Sequence, residues 1–208
     1  MRLLSLDTSS NLLSVALADN HHVVISKAIY MERGQGEALA PLIQSMFETV
    51  GWDIKSVNQV LVAVGPGSFT GVRIGLSAAR GLGLALNIPV NGISNFNAVL
   101  PLMVTQPVCV ALDTKRGDCF VQRFDETGCL NGEPQILSVD DIVSLHVPVI
   151  TDKADLFTNT NVALIAMPAC PAEHMIDVFF NRPNVLLPAE PLYLREADVT
   201  LSSGCHVK

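Results

Sequence analysis

The chain has 208 residues, 49% of them hydrophobic and 16% charged, with a formal net charge of -7. That length fits one large domain or two small ones, and the apolar content is ample for a packed core. The acidic balance excludes the broad basic surface that a phosphate backbone selects, so any nucleic acid would be held by another subunit.

The N-terminal residues place Asp7 where a signal peptide needs its apolar region, and no uncharged run reaches the length of a membrane span. A cytoplasmic location and no membrane partner are expected. Five cysteines, Cys109, Cys119, Cys129, Cys170 and Cys205, form no C-x-x-C pair, and an odd number cannot all pair within one chain. Ordinary reduced thiols are expected.

Residues 3–7 and 12–18 are apolar runs joined by a polar turn from Thr8 to Asn11, and residues 23–30 supply a third run. The chain therefore opens as a β-meander, with Asp7 ending the first strand and its carboxylate placed to accept N–H bonds from the turn. Residues 36–50 carry apolar side chains at 39, 42, 43, 46, 47 and 50, the spacing of an amphipathic helix. Pro41 lies well inside it, so a kink or a late start is expected. Gly51 to Asp53 close the helix, and residues 53–58 form a connector with room for one helical turn.

The apolar run 60–64 then meets Gly65-Pro66-Gly67-Ser68-Phe69-Thr70-Gly71, followed by an Ala/Gly/Leu-rich stretch to Leu86. It reads as strand, glycine-rich turn and helix, with Ser68 or Thr70 as the cap. Two questions arise. Converging N–H groups at a helix N-terminus would make Gly65, Gly67, Ser68 and Thr70 a candidate anion-binding turn. The turn lacks the Lys-Ser/Thr of a P-loop and the full G-x-G-x-x-G, so a purely architectural role stands beside that reading. In the helix, Gly71, Gly75, Ala79 and Gly83 recur every four residues and share one nearly bare face. Three glycines cost about 1 kcal/mol each relative to alanine, which requires close packing against that face, by a partner helix or by this protein's own sheet. Arg73 and Arg80 lie seven apart, nearly on one face, suited to an acidic partner or to phosphate.

A short strand at 88–93 and a helix capped by Ser94 and running to about Met103 follow, with a break at 105–107. Residues 108–112, the polar turn Asp113 to Gly117, and residues 119–124 repeat the opening design, which suggests two duplicated halves, 1–104 and a smaller 105–208. The second half has strands near 134–137, 148–150 and 162–166 and helices near 138–146 and 172–181; Ser138 caps the first of these, with Asp140 and Asp141 at its positive end. Residues 188–199 read as an extended tail and 201–208 as frayed.

No residues assemble into a catalytic constellation. His21, His22, His146, His174 and His206 match neither H-x-x-x-H nor H-E-x-x-H spacing, and Ser68 does not sit in a G-x-S-x-G elbow. No metal or cofactor is expected, with a nucleotide at a subunit interface left open.

A strand ending in Asp, a polar turn and a second strand resemble the opening of the actin, hexokinase and acetate kinase superfamily. There the aspartate handles phosphate or metal-bound water, with a glycine beside it; here Thr8, Ser9 and Ser10 fill the turn. The glycine-rich segment 65–75, the opening Leu6-Asp7-Thr8-Ser9, Ala111 to Asp118, and Pro191-Leu192-Tyr193-Leu194-Arg195 together resemble the TsaB (YeaZ) family across nearly the whole chain. The resemblance implies an α/β, actin-like (ASKHA, ribonuclease H-like) fold with duplicated lobes, the second reduced. It implies a non-catalytic scaffold or dimerisation subunit for tRNA threonylcarbamoyladenosine formation beside the anticodon. Its implied partners are a TsaD-like catalytic subunit and a TsaE-like ATPase, with a homodimer when alone and tRNA reached only through the complex. Many relatives carry a His-Ser or His-Thr pair at the start of the first helix; here Gly34 to Glu37 stand there, which puts metal ligation out of reach. The expected interface is Ala38, Leu42, Val72, Gly75, Leu76, Ala79 and Gly83. The alternative is a nucleotide-binding enzyme or peptidase of the same superfamily.

Overall fold

In the computed structural model, which describes residues 1–195, the meander is β1 (Arg2–Asp7), β2 (Leu12–Asp19) and β3 (His22–Tyr30). β1 and β2 are buried on both faces, which is why they read as unbroken apolar runs rather than as alternation. Next come α1 (Gln35–Val50), a 3-10 turn at Ile54–Ser56, β4 (Gln59–Ala63), α2 (Phe69–Leu86), β5 (Val90–Ile93) and α3 (Asn95–Val99).

Three local outcomes have simple causes. α1 starts at Gln35, not late, because Gly34 takes a left-handed conformation and its carbonyl accepts from Ala38 N–H at 3.0 Å. Pro41 is exposed, so the bond it cannot donate falls on the solvent side. Ser68, not Thr70, caps α2 by accepting from Gly71 N–H at 3.2 Å. α3 ends at Val99, short of Met103, because Leu100 precedes Pro101 and is held extended.

The remaining elements are β6 (Val108–Asp113), β7 (Asp118–Phe124), β8 (Gln135–Ser138), α4 (Val139–Val143), β9 (Val149–Thr151), β10 (Leu164–Ile165), α5 (Pro171–Asn181) and β11 (Leu187–Pro188). The sheets have orders β11-β5-β4-β1-β2-β3 and β10-β9-β6-β7-β8. Without β11, the first five strands in chain order occupy the same places as the next five. The senses agree as well: each meander is antiparallel, and its first strand lies parallel to the fourth, which lies parallel to the fifth. The echo between the Asp7 and Asp113 turns thus reflects a duplicated topology. The second copy is thinner, with only a 3-10 turn at Ala154–Phe157 between β9 and β10 where the first copy has α2.

The two copies exchange helices. Phe96, Val99 and Leu100 of the α3 region pack with Val108, Val110 and Phe124 of the second sheet. Ala172, Met175, Ile176 and Val178 of α5 pack on Leu3, Leu61 and Ile93 of the first. β11 then pairs with β5. A division into 1–104 and 105–208 therefore does not describe the layers, because residues 171–188 return to the first sheet. The other face of that sheet carries α1 and α2 over a core that includes Leu4, Leu6, Val15, Val60 and Val62. The tail forms the short strand β11 and then bends at residues 189–190, where Glu190 N–H donates to the Pro188 carbonyl at 2.7 Å, and again at residues 194–195, so it is not the continuous extended segment expected; residues 196–208, including the rest of that segment and the part expected to fray, lie outside the described residues. Among the described residues no helix is long and apolar enough to cross a membrane.

Candidate functional site

The glycine-rich turn uses several of its polar groups inside the protein. Gly65 N–H donates to Asn95 Oδ1 at 3.2 Å, its carbonyl accepts from Asn95 N–H at 2.8 Å, and the Pro66 carbonyl accepts from Asn95 Nδ2 at 2.8 Å. Ser68 N–H donates to the Ser9 carbonyl at 2.7 Å. A Cβ on Gly67 would stand 2.5 Å from that same carbonyl, so glycine is required there by the approach of the Asp7 turn rather than by a ligand. The four residues expected to hold an anion do not converge: Gly67 and Ser68 line the cleft between the two halves, Thr70 faces outward beside α1, and Gly65 is buried.

That cleft has a volume of about 740 Å³ and takes Asp7, Ser9 and Asn95 from one half and Asp113, Lys115 and Asp152 from the other. Asp7 Oδ1 accepts from Ser9 N–H at 2.8 Å and from the Ser9 hydroxyl. Burial raises the Asp7 carboxyl above the usual carboxylate range, with the Ser9 bonds pulling the other way. Asp113 repeats the arrangement, accepting from Lys115 N–H at 2.7 Å, and its own N–H donates to Asp152 Oδ1 at 2.8 Å. Lys115 Nζ crosses the cleft to Asn11 Oδ1 at 2.7 Å. Both strand-end carboxylates thus hold their own turns, and the Lys115 contact spans the cleft between the halves. Among the described residues no three His, Cys, Asp or Glu side chains gather as a metal site. The ring of His21 lies tilted against Phe180 with centroids 3.8 Å apart, His174 Nε2 bonds the Leu100 carbonyl at 2.7 Å, and His146 Nδ1 bonds the Ser144 carbonyl at 2.7 Å; His206 lies outside the described residues.

The bare stripe of α2 faces inward, which corrects the expected interface. Val72, Gly75, Leu76, Ala79 and Gly83 are buried, and Ala38 and Leu42 of α1 are half-buried against the same core. A Cβ on Gly75 would meet Thr8 Oγ1 at 2.8 Å, and one on Gly83 would overlap Val90. The glycines bring α2 down onto the first sheet, so the close packing they offset is internal. The opposite rows of α1 and α2 remain open. Gly36, Ala40, Phe69, Arg73, Ile74 and Ser77 line a shallow groove of about 540 Å³ between the two helices.

The tail closes one end of this groove, a role that sequence reasoning missed. Leu192 N–H donates to the Val64 carbonyl at 2.8 Å, Tyr193 stacks on Phe69 with ring centroids 5.1 Å apart, and Arg195 Nη2 reaches Asp118 Oδ2 at 2.6 Å. An aromatic residue in an extended, proline-bounded segment was the available signal.

The family model described as TsaD, tRNA N6-adenosine threonylcarbamoyltransferase, matches residues 30–181. The chain is 32% identical over 139 residues to the tRNA threonylcarbamoyladenosine biosynthesis protein TsaB of Escherichia coli (strain K12), a match that covers 64% of this chain and 60% of that protein. It is 30% identical over 99 residues to the protein of the same name from Bacillus subtilis (strain 168), covering 48% and 43%. The match thus spans less than two thirds of either relative. Among solved structures, YeaZ from Pseudomonas aeruginosa superposes with a TM-score of 0.74 at 23% identity, covering 93% of this chain and 99% of that one, a likeness of fold.

Proposed function

The chain belongs to the TsaD family, where it stands with the TsaB (YeaZ) proteins and has their α/β actin-like fold, and from that membership we propose that it serves tRNA threonylcarbamoyladenosine formation as a non-catalytic scaffold. In this reading a TsaD-like catalytic subunit docks on the outer face of α1 and α2. The observation that carries it is the open groove there, with small Gly36 and Ala40 on one side and Phe69 and Ile74 on the other, a shape into which an apolar helix can pack. The cleft adds support, since the N–H groups of Gly65 and Ser68 and the carboxylates of Asp7 and Asp113 already have partners within the chain. A TsaE-like ATPase joins the complex, tRNA is held by the other subunits as the net charge of -7 favours, and the free chain pairs with itself through the same groove. The assembly works in the cytoplasm.

The test is a binding titration of the TsaD-like protein from the same cell against this chain and its Ala40→Trp variant. Filling the groove should abolish binding while the thermal midpoint stays within a few degrees; undiminished binding overturns the docking site. A second reading, a nucleotide-binding enzyme of the same superfamily, draws on the size of the cleft and the buried Asp7. Micromolar binding of Mg-ATP with hydrolysis that Asp7→Ala abolishes would replace the scaffold by that enzyme.

A further inference from the structure

Arg73 stands on the outward row of α2, exposed, at the end of the groove where the tail crosses. Its guanidinium lies 3.8 Å from the Phe69 ring centroid and 5.9 Å from that of Tyr193, and its Nε donates to Tyr193 Oη at 2.9 Å. A long side chain that would ordinarily sample many rotamers is thus held by two aromatic rings and one hydrogen bond. Its terminal N–H groups are left over, and no carboxylate among the described residues pairs with it. A held cation without a counter-ion among the described residues, beside an apolar groove with a small-residue wall, is charge-complementary to a helix that brings an acid to that spot.

Resting on the docking reading above, we propose that the groove selects a partner helix carrying an aspartate or glutamate that pairs with Arg73, and that Tyr193 of the tail is the residue that positions Arg73 for it. On either side of Tyr193 the tail is tied down, to Val64 of the first half by Leu192 N–H and to Asp118 of the second by Arg195. The second half therefore acts on the docking face without touching the groove. The proline-bounded motif from Pro191 to Arg195 thereby converts an exposed arginine, whose contribution at an interface rim is normally small, into a preorganised one.

The experiment measures affinity for the TsaD-like protein of the same cell at low and physiological salt, using wild type, Arg73→Gln, Tyr193→Leu, the double variant, Arg80→Gln and Ala40→Trp. Arg73→Gln should weaken binding about tenfold and flatten its salt dependence, whereas Arg80→Gln on the same helix should change it less than about twofold. Tyr193→Leu should cost about threefold when Arg73 is present and almost nothing in the Arg73→Gln background, because a positioning residue has nothing left to position. Equal losses in both backgrounds would show a merely structural role for Tyr193 and overturn that part. If Ala40→Trp abolishes binding but Arg73→Gln does not weaken it, docking stands and the acidic helix falls; if neither matters, docking itself falls. If Arg73→Gln changes only self-association, measured by light scattering, the occupant is a second copy and the proposal is overturned.

Discussion

Gly71 lies so close to Thr8 that a Cβ placed on it would overlap the Thr8 carbonyl oxygen, while the Thr8 hydroxyl donates to the Gly71 carbonyl at 2.6 Å. Residues 63 positions apart thus fix how deeply α2 sits on the sheet. Gly71→Ala should destabilise the fold by about 1–3 kcal/mol through overpacking against backbone that has little room to shift. Gly81, on the outer face of the same helix, has nothing within 4 Å of an added Cβ. Gly81→Ala should therefore stabilise by about 0.5–1 kcal/mol from helix propensity alone. Urea unfolding of the two variants gives opposite signs, and equal signs would contradict the inward stripe. By the same geometry Gly75→Leu should unfold the chain rather than simply block a partner.

The thiols should separate sharply in reactivity. Cys109 and Cys119 are buried residues of β6 and β7 in the second sheet, and burial pushes both up to about 12, with the neighbouring thiol adding to Cys109 and the carboxylates of Asp113, Asp152 and Asp118 adding to Cys119. Below that value they remain neutral and unreactive at any ordinary working pH. Cys129 is exposed. In a Cys205→Ser background, a thiol reagent at pH 8 should modify Cys129 promptly, with Cys109 and Cys119 reacting only after denaturant is added; mass spectrometry of the labelled peptides reads the outcome.

Asp118 supplies an acid-sensitive anchor for the tail. The Thr114 hydroxyl, and then the hydrogen bond and charge of Arg195, hold its carboxyl below the usual range. For an acid depressed in the folded state, the stabilisation is present above the unfolded value and is lost as pH falls through the folded one. Arg195→Gln should cost about 1 kcal/mol or less at pH 7, since the pair is partly exposed, and the difference from wild type should vanish at strongly acid pH. A difference that persists there would mean the arginine acts through packing instead.

Asp7 has the opposite sign. Its carboxyl is raised by burial, so the charged form is a liability in the folded state that grows as pH rises above the unfolded value. Asp7→Asn keeps an oxygen to accept from Ser9 and removes the charge. Its stability relative to wild type should rise from pH 4 to pH 7 in thermal melts. In a reconstituted modification assay the variant should retain activity within about twofold if Asp7 only shapes its turn; a loss of a hundredfold or more, the scale on which a lost acid–base group acts, would return it to chemistry.

Local pattern was enough for much of this molecule. The three opening strands, the amphipathic spacing of α1, the Ser68 and Ser138 caps and the repeated strand-Asp-turn-strand unit are all written within windows of about 15 residues, where periodicity and capping operate. The glycines at 71, 75 and 83 announced a close approach, but a missing side chain carries no label for what approaches it, so only the tertiary structure could show Thr8 and Val90 there and leave the opposite row of the helix open. The same holds for the return of α5 and β11 to the first sheet and for Tyr193 beside Arg73, a contact between residues 120 apart. Such pairings are decided by which apolar faces can be covered together once the chain collapses, a property of the whole fold that no single segment contains.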